Sequence, residues 1–201
     1  MHKTGIFGGS FDPVHYGHIS LALAAKEEAG LDQVIFVPAN LQPFKLEKKV
    51  TNGNHRYNMI KLAIKDCEGL SLSSFELDRQ ELSYTYSTLR HFRDIKDADD
   101  RIYFITGTDA FLKIDRWKNA DEILSSYSFI IGSRPGYKEK EQGEKTAYIR
   151  EKYGCDIIVV NNRQIDISST ELREKISAGL DISEYIASDV ERYIKENGLY
   201  R

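Results

Sequence analysis

Short runs of β-branched and aromatic residues alternate with segments of helical spacing along most of this sequence. The candidate strands are Thr4–Phe7, Gln33–Pro38, Leu70–Glu76, Arg101–Thr106, Ser128–Ser133 and Asp156–Val160. The candidate helices are His18–Gly30, Arg56–Cys67, Thr85–Ile95, Ser169–Gly179 and Ser188–Asn197. This alternation predicts a doubly wound α/β fold, in which helices cover both faces of a mostly parallel sheet. The polar stretch Gly136–Lys145 is typical of a solvated loop.

Length and composition restrict the class of protein. The 201 residues suit one domain over residues 1–201, with a small helical part at about residues 168–201. No apolar run approaches the ~20 residues of a membrane span, and the first residues lack the apolar core of a secretory signal. Cys67 and Cys155 are too few for a disulfide framework and predict reduced thiols. We therefore expect a cytoplasmic protein, and the net charge of −3 argues against a dedicated nucleic-acid binder.

Glycines and polar residues follow the predicted strands. The segments concerned are Gly8–His15, Ala39–Lys45, Gly107–Phe111, Arg134–Gly136 and Ile167–Arg173. Because the carboxyl ends of parallel strands meet at one edge of the sheet, where such folds bind ligands, these segments are expected to lie together. Their composition favours a ligand that carries phosphate.

The first of these segments, in the stretch "GGSFDPVHYGH", indicates how phosphate is held. Gly8 and Gly9 have no Cβ, so a ligand can approach the backbone closely. The helix that follows, starting near residues 16–18, offers free N–H groups and the positive end of its dipole. His15 and His18 are three positions apart, and on a first helical turn they would share a face and converge on the anion.

Metal binding and the common nucleotide-binding loops fit this stretch less well. Two histidines can bind a metal ion with Asp12 as a third ligand, but close approach of phosphate explains Pro13 and the glycines better. The sequence contains neither a Walker lysine loop nor the Gly-x-Gly-x-x-Gly pattern of dinucleotide-binding proteins. Kinase, NTPase and dehydrogenase functions are therefore disfavoured.

The stretch "GGSFDPVHYGH" resembles the (H/T)xGH motif of the nucleotidyltransferase superfamily, whose members transfer a nucleoside monophosphate and release pyrophosphate. "ISSTELR" (Ile167–Arg173) is similar to the second motif of that superfamily, ISSTxxR. The whole chain resembles the bacterial nicotinate-nucleotide adenylyltransferases, which join nicotinate mononucleotide to the adenylyl group of ATP in NAD synthesis. The resemblance implies a Rossmann-like fold, with ATP and nicotinate mononucleotide as partners and Mg²⁺ entering with ATP rather than in a dedicated protein site.

The resemblance also implies roles on the ATP side. His15, His18 and Arg173 would be catalytic, contacting the ATP phosphates and stabilising charge at the α-phosphate. Ser169 and Thr170, at a helix start beside Arg173, would form a second anion-binding element. The residues expected to bind ATP are Gly8, Gly9, Ser10, Phe11, His15, His18, Gly107, Asp109, Arg134, Ser169, Thr170 and Arg173.

A second group of residues would hold the mononucleotide. The segment "GTDAFLKIDRW" resembles the family's mononucleotide-binding segment, so Asp109 would accept hydrogen bonds from the ribose hydroxyls and Trp117 would stack on the pyridine ring. In "SYTYSTL", Tyr84 and Thr85 match a helix start that can donate to a carboxylate.

The loop "ANLQPFK" carries two further expectations. Asn40 and Lys45 match positions near the mononucleotide, with Lys45 facing its phosphate. The family often has Pro-Pro-His-Lys here, and this chain departs from it with Phe44 in place of the histidine.

Alternatives within and outside the superfamily stay open. The acceptor could be nicotinamide mononucleotide or phosphopantetheine, although phosphopantetheine adenylyltransferases usually have threonine where this chain has His15. Cytidylyltransferases share the histidine motif, but they would leave "SYTYSTL" and "GTDAFLKIDRW" without a purpose. A nucleotide-binding sensor without turnover is a different class of function. A homo-oligomer is possible, and neither nucleic acid nor a membrane is an expected partner.

Overall fold

The computed structural model describes residues 1–40, 50–79, 81–133, 138–162 and 165–201. Within them, six parallel strands form one sheet in the order β3-β2-β1-β4-β5-β6. The strands are β1 Lys3–Gly9, β2 Gln33–Pro38, β3 Leu70–Leu72, β4 Arg101–Gly107, β5 Ser128–Gly132 and β6 Ile157–Val160. The predicted doubly wound α/β fold is confirmed.

The described helices connect these strands. They are α1 Tyr16–Glu28, α2 Gly53–Ile64, α3 Thr85–Asp94, α4 Thr108–Phe111, α5 Ala120–Ser126, α6 Glu139–Tyr153, α7 Ser169–Ser177 and α8 Ser188–Glu196, with a short 3-10 helix at Ile114–Arg116. In the described part of the chain, no helix is both long and apolar enough to cross a membrane.

Helices cover both faces of the sheet because its central strands are apolar on both sides. Consecutive strand residues enter opposite cores: Ile6 and Phe104 face one core, whereas Phe7 and Ile105 face the other. The first core is closed by residues of α3, α5 and α6, and the second by residues of α1, α2, α7 and α8. This burial on two faces explains why the strands appear in the sequence as continuous apolar runs.

The prediction of a solvated loop at Gly136–Lys145 is wrong for the described part of that range, because Glu139 begins α6. Gln142, Thr146 and Ile149 form a buried stripe at helical spacing, but two of the three are polar and so hide the pattern. Acidic residues in the first turn and basic residues in the last turn complement the helix dipole. The left-handed Gly154 ends the helix.

The sheet brings the segments that follow its strands to one edge, as predicted for a ligand site. The chain runs from β1 toward β3 on one side and from β4 toward β6 on the other, so the strand order reverses between β1 and β4. Gly9 pairs with Pro38, and Gly107 with Gly132, at the carboxyl ends of neighbouring strands. In folds of this class ligands bind in the crevice outside such a reversal.

Candidate active site

A cavity of about 1050 Å³ opens at this edge of the sheet. Most of the residues expected from the sequence line it: Gly8, Gly9, Ser10, Phe11, His15, His18, Tyr84, Thr85, Gly107, Asp109, Trp117, Ser169, Thr170 and Arg173. Asn40 lies next to it, where its side-chain amide donates to the carbonyl of Arg79. Lys45 and Arg134, and the departure at Phe44, lie outside the described residues.

The two histidines converge, but not as two members of one helical turn. His15 is the N-cap of α1 and has an extended backbone, with φ −144°, whereas His18 lies within the helix at the third position. Their ring centroids are 3.7 Å apart, and the backbone N–H of His15 donates to Nδ1 of His18 over 3.2 Å. Because Nδ1 of His18 accepts this bond, a neutral His18 carries its proton on Nε2.

Gly17 makes this arrangement possible. A Cβ at Gly17 would lie 3.0 Å from both Cε1 and Nδ1 of His15, closer than ordinary contacts allow. The His15 ring therefore lies against this helix turn, and a Cβ at position 17 would require the ring to move by a few tenths of an ångström. No role for Gly17 follows from the sequence pattern alone, although its place between the histidines was the available signal.

Gly9 has a packing function as well as leaving the backbone accessible. A Cβ at Gly9 would lie 2.9 Å from Cζ of Phe11. Phe11 is buried and meets Phe7 edge to face, with centroids 5.2 Å apart, and also contacts His18 at 5.0 Å. The aromatic cluster beneath the loop thus contacts one of the two histidines directly.

The second motif is hydrogen bonded to the first. Ser168 caps α7, and Ser169 Oγ donates to the carbonyl of Pro13 over 3.0 Å. Arg173 donates from Nη1 to the carbonyl of Asp12 over 2.7 Å and from Nη2 to Thr170 Oγ1 over 3.2 Å. The starts of α1 and α7 are therefore held side by side, and both contribute residues to the cavity.

The other side of the cavity is aromatic. Trp117 is partly buried and packs edge to face on Phe104, with ring centroids 5.7 Å apart. Tyr84 is the N-cap of α3, and Lys118 Nζ lies 4.4 Å from the centroid of its ring. Asp109 is exposed, and its Oδ1 accepts a hydrogen bond from Lys138 over 2.7 Å.

Glu76 also lines the cavity, and sequence reasoning assigned it no function. It is buried, and its Oε1 accepts a hydrogen bond from Thr88 of α3 over 2.5 Å. Burial raises the pKa of Glu76, while hydrogen bonds from Thr88 and Ser83 oppose that rise. Ser83 Oγ in turn accepts the backbone N–H of Asn40 over 2.9 Å, so these contacts link the start of α3 to the end of β2. The available signal was a carboxylate within the predicted strand Leu70–Glu76.

Arg56 lies outside the cavity lining but contacts the loop after β1, and sequence reasoning assigned it no function. It is 1% exposed, and it donates from Nη1 to the carbonyl of Ser10 and from Nε to the carbonyl of Thr51, both over 2.8 Å. Burial lowers the pKa of Arg56, and the nearby Asp12 carboxylate opposes that effect. The guanidinium thus holds the loop after β1 from below.

The described residues around the cavity include several groups that can bind anions. Among the described residues, no three His, Cys, Asp or Glu side chains are grouped so that they could hold a metal. Imidazole, guanidinium and helix-start N–H groups bind phosphate oxygens.

The chain is similar to known proteins over its whole length. The model of the cytidylyltransferase-like family matches residues 6–175. A Clostridium botulinum protein named as a probable nicotinate-nucleotide adenylyltransferase is 40% identical over 201 residues, which cover 100% of this chain and 99% of that protein. A Thermoanaerobacter protein with the same name is 42% identical over 199 residues, covering 99% of this chain and 94% of that protein.

The fold has a counterpart among solved structures. The Plasmodium falciparum nicotinic acid mononucleotide adenylyltransferase complexed with NaAD superposes with a TM-score of 0.81. The match covers 100% of this chain and 98% of that chain at 24% identity, and it supports the fold. Taken with the match to the family model and the full-length relatives, the chain belongs to the cytidylyltransferase-like family of nucleotidyltransferases.

Proposed function

We propose that this chain transfers the adenylyl group of ATP to nicotinate mononucleotide in NAD biosynthesis. A phosphate oxygen of the mononucleotide attacks the α-phosphorus, the bond from that phosphorus to the β-bridging oxygen breaks, and pyrophosphate leaves with the electron pair. The products are nicotinate adenine dinucleotide and pyrophosphate. The observation that carries the proposal is one cavity that joins the paired histidines and Arg173 to Trp117 and the start of α3. Full-length relatives named for this activity support it.

The residues on the phosphate side would act by placing charge. The attacking phosphate is already ionised, so the reaction needs little from a general base and depends on positioning and charge stabilisation. His18 would donate from Nε2 to a phosphate oxygen, because its Nδ1 is engaged by the backbone of His15. Arg173, anchored through the carbonyl of Asp12, and the start of α7 would bind the phosphates from the other side.

Mg²⁺ is the metal expected for this reaction. It prefers oxygen ligands and retains much of its water, which suits delivery on the triphosphate. When bound, it would neutralise charge on the leaving pyrophosphate. Among the residues that the structure describes, four carboxylates line the cavity: Asp12, Glu76, Asp109 and Asp166. Asp12 accepts hydrogen bonds from Tyr200 and Thr51, Glu76 accepts one from Thr88, and Asp109 accepts one from Lys138.

The pyridine side would select the acid. The helix start at Tyr84 and Thr85 presents backbone N–H groups and positive dipole charge, which favour a carboxylate. Trp117 would stack on the ring. Nicotinamide mononucleotide is the second candidate, because the buried Glu76 on the same cavity wall offers an acceptor for an amide N–H.

Pyrophosphate release tests the proposal directly. The purified protein is incubated with ATP and Mg²⁺ plus nicotinate mononucleotide, nicotinamide mononucleotide or no acceptor. Strong preference for the acid is the expected result. Comparable rates would contradict acid selection at the start of α3, and release no faster than without acceptor would contradict adenylyl transfer to either nucleotide.

We expect this reaction to take place in the cytoplasm. Cys67 and Cys155 are free thiols, typical of a reducing compartment. Cell fractionation followed by immunoblotting would test this, and recovery with secreted proteins would contradict it.

A further inference from the structure

We propose that Tyr200 is a positioning residue for the phosphate-binding loop, residues 10–15, and acts through Asp12. The phenol Oη donates to Asp12 Oδ1 over 2.6 Å, across 188 positions of the chain. The inference rests on the proposed function, because the proposed function assigns this loop and Arg173 to the ATP phosphates. Tyr200 itself does not line the cavity.

Asp12 connects three parts of the molecule. It is 4% exposed, and each carboxylate oxygen has a donor: Tyr200 Oη on Oδ1 and the backbone N–H of Thr51 on Oδ2, at 3.2 Å. Its carbonyl oxygen accepts the hydrogen bond from Arg173. Movement of Asp12 would therefore move the anchor of Arg173.

The loop needs such support because its backbone is strained. Phe11, directly before Asp12, has a φ of 50°, in the left-handed region that residues with a Cβ rarely adopt. Arg56 holds the carbonyl of Ser10, on one side of Phe11, and the Asp12 contacts hold the other side. Loss of the phenol hydroxyl leaves a buried carboxylate oxygen with one donor fewer, and the loop would relax to satisfy it.

Tyr200 is placed so that it can supply this hydrogen bond. After α8, Gly198 and Tyr200 both adopt positive φ, 60° and 64°, and the Leu199 N–H donates to the carbonyl of Ile194. This turn directs the chain back to the loop after β1. Burial, followed by the charge of Asp12, raises the pKa of Tyr200, so the phenol also stays a donor at alkaline pH.

The experiment compares Tyr200→Phe with Tyr193→Phe. Both variants remove one phenol oxygen, but the Tyr193 hydroxyl bonds to His55 and Asn58 between α2 and α8 and lies outside the cavity lining. We expect kcat/KM for ATP to fall about 10-fold in Tyr200→Phe, the scale of one buried hydrogen bond to a charged group. We expect it to stay within about twofold of wild type in Tyr193→Phe, and both variants to keep the wild-type KM for the mononucleotide.

A binding measurement separates failure of this inference from failure of the proposed function. Equilibrium dialysis with ATP alone measures binding without turnover, and weaker binding by Tyr200→Phe than by Tyr193→Phe is expected. Equal ATP binding and equal kcat/KM in the two variants, with wild type active, would overturn this inference and leave the proposed function intact. Inactive wild type would instead refute the proposed function, and the dialysis would still decide the role of Tyr200.

A second variant keeps the test decisive if the first misfolds. If thermal melting shows that Tyr200→Phe does not fold, Asp12→Asn removes the acceptor charge and is measured in the same assays. The same loss of ATP affinity is expected, and wild-type affinity would overturn the inference.

Discussion

The backbone N–H of His15 donates to Nδ1 of His18, and the two imidazole rings lie with their centroids 3.7 Å apart. One histidine caps α1 and the other lies in its first turn, so each depends on the helix start for its orientation. The pair is therefore a product of local backbone geometry. Changes to either residue, or to Gly17 between them, should affect activity more than stability.

Replacing His18 with alanine removes the Nε2 donor. We expect His18→Ala to lower turnover at least ~10²-fold, the effect of losing a preorganised donor that stabilises charge in the transition state. Steady-state pyrophosphate release measures this, with His2→Ala as the control because His2 is exposed and outside the cavity lining. Wild-type turnover in His18→Ala would refute the role.

A methyl group at position 17 should displace the His15 ring. We expect Gly17→Ala to reduce kcat about 10-fold while the free energy of unfolding changes by less than about 1 kcal/mol, because the higher helix propensity of alanine offsets the cost of moving the ring. The control is Gly143→Ala in α6, where an added Cβ meets nothing within 4 Å. That variant should gain stability without any change in kcat, and a Gly17→Ala enzyme as active as Gly143→Ala would contradict the steric argument.

The variant Trp117→Ala distinguishes stacking on the substrate from packing within the protein. If it stacks on the pyridine ring, Trp117→Ala should raise KM for the mononucleotide about 10-fold, the scale of base stacking on an aromatic side chain, and leave KM for ATP nearly unchanged. Trp117→Phe, which keeps an aromatic face, should recover much of the loss. Equal weakening for both substrates would show that the main role of Trp117 is its edge-to-face contact with Phe104.

Glu76 should make stability depend on pH. Burial raises its pKa above the ordinary value of 4.5, so the folded protein holds this proton more tightly than the unfolded chain does. The contribution of Glu76 to the free energy of unfolding therefore falls as pH rises from the ordinary value through the raised one. Urea unfolding between about pH 4 and 8 should show Glu76→Gln gaining stability relative to wild type as pH rises. The exposed Glu184→Gln is the control, and a parallel course for Glu76→Gln and wild type would contradict the prediction.

Elements with a continuous apolar signal could be predicted from the sequence. The run Gln33–Pro38 forms β2 with the predicted bounds, since a central strand buried on both faces needs apolar residues at nearly every position. The run from Leu70 gives a strand only to Leu72, because β3 is an edge strand that pairs with β2 alone. Helix α6 was missed because its buried stripe includes Gln142 and Thr146.

The sequence by itself determined most of the residues that line the cavity at the carboxyl edge of the sheet, although not Glu76. The spacing of His15 and His18 at a helix start and the order of strands and loops are local properties of the chain, and strands that run parallel bring their following loops to one edge. Only the tertiary structure decided what holds those residues: Asp12 with Tyr200, Arg56 beneath the loop, and Glu76 under α3. These are buried polar groups, and their burial is possible only because partners distant in sequence supply the hydrogen bonds that water would otherwise make.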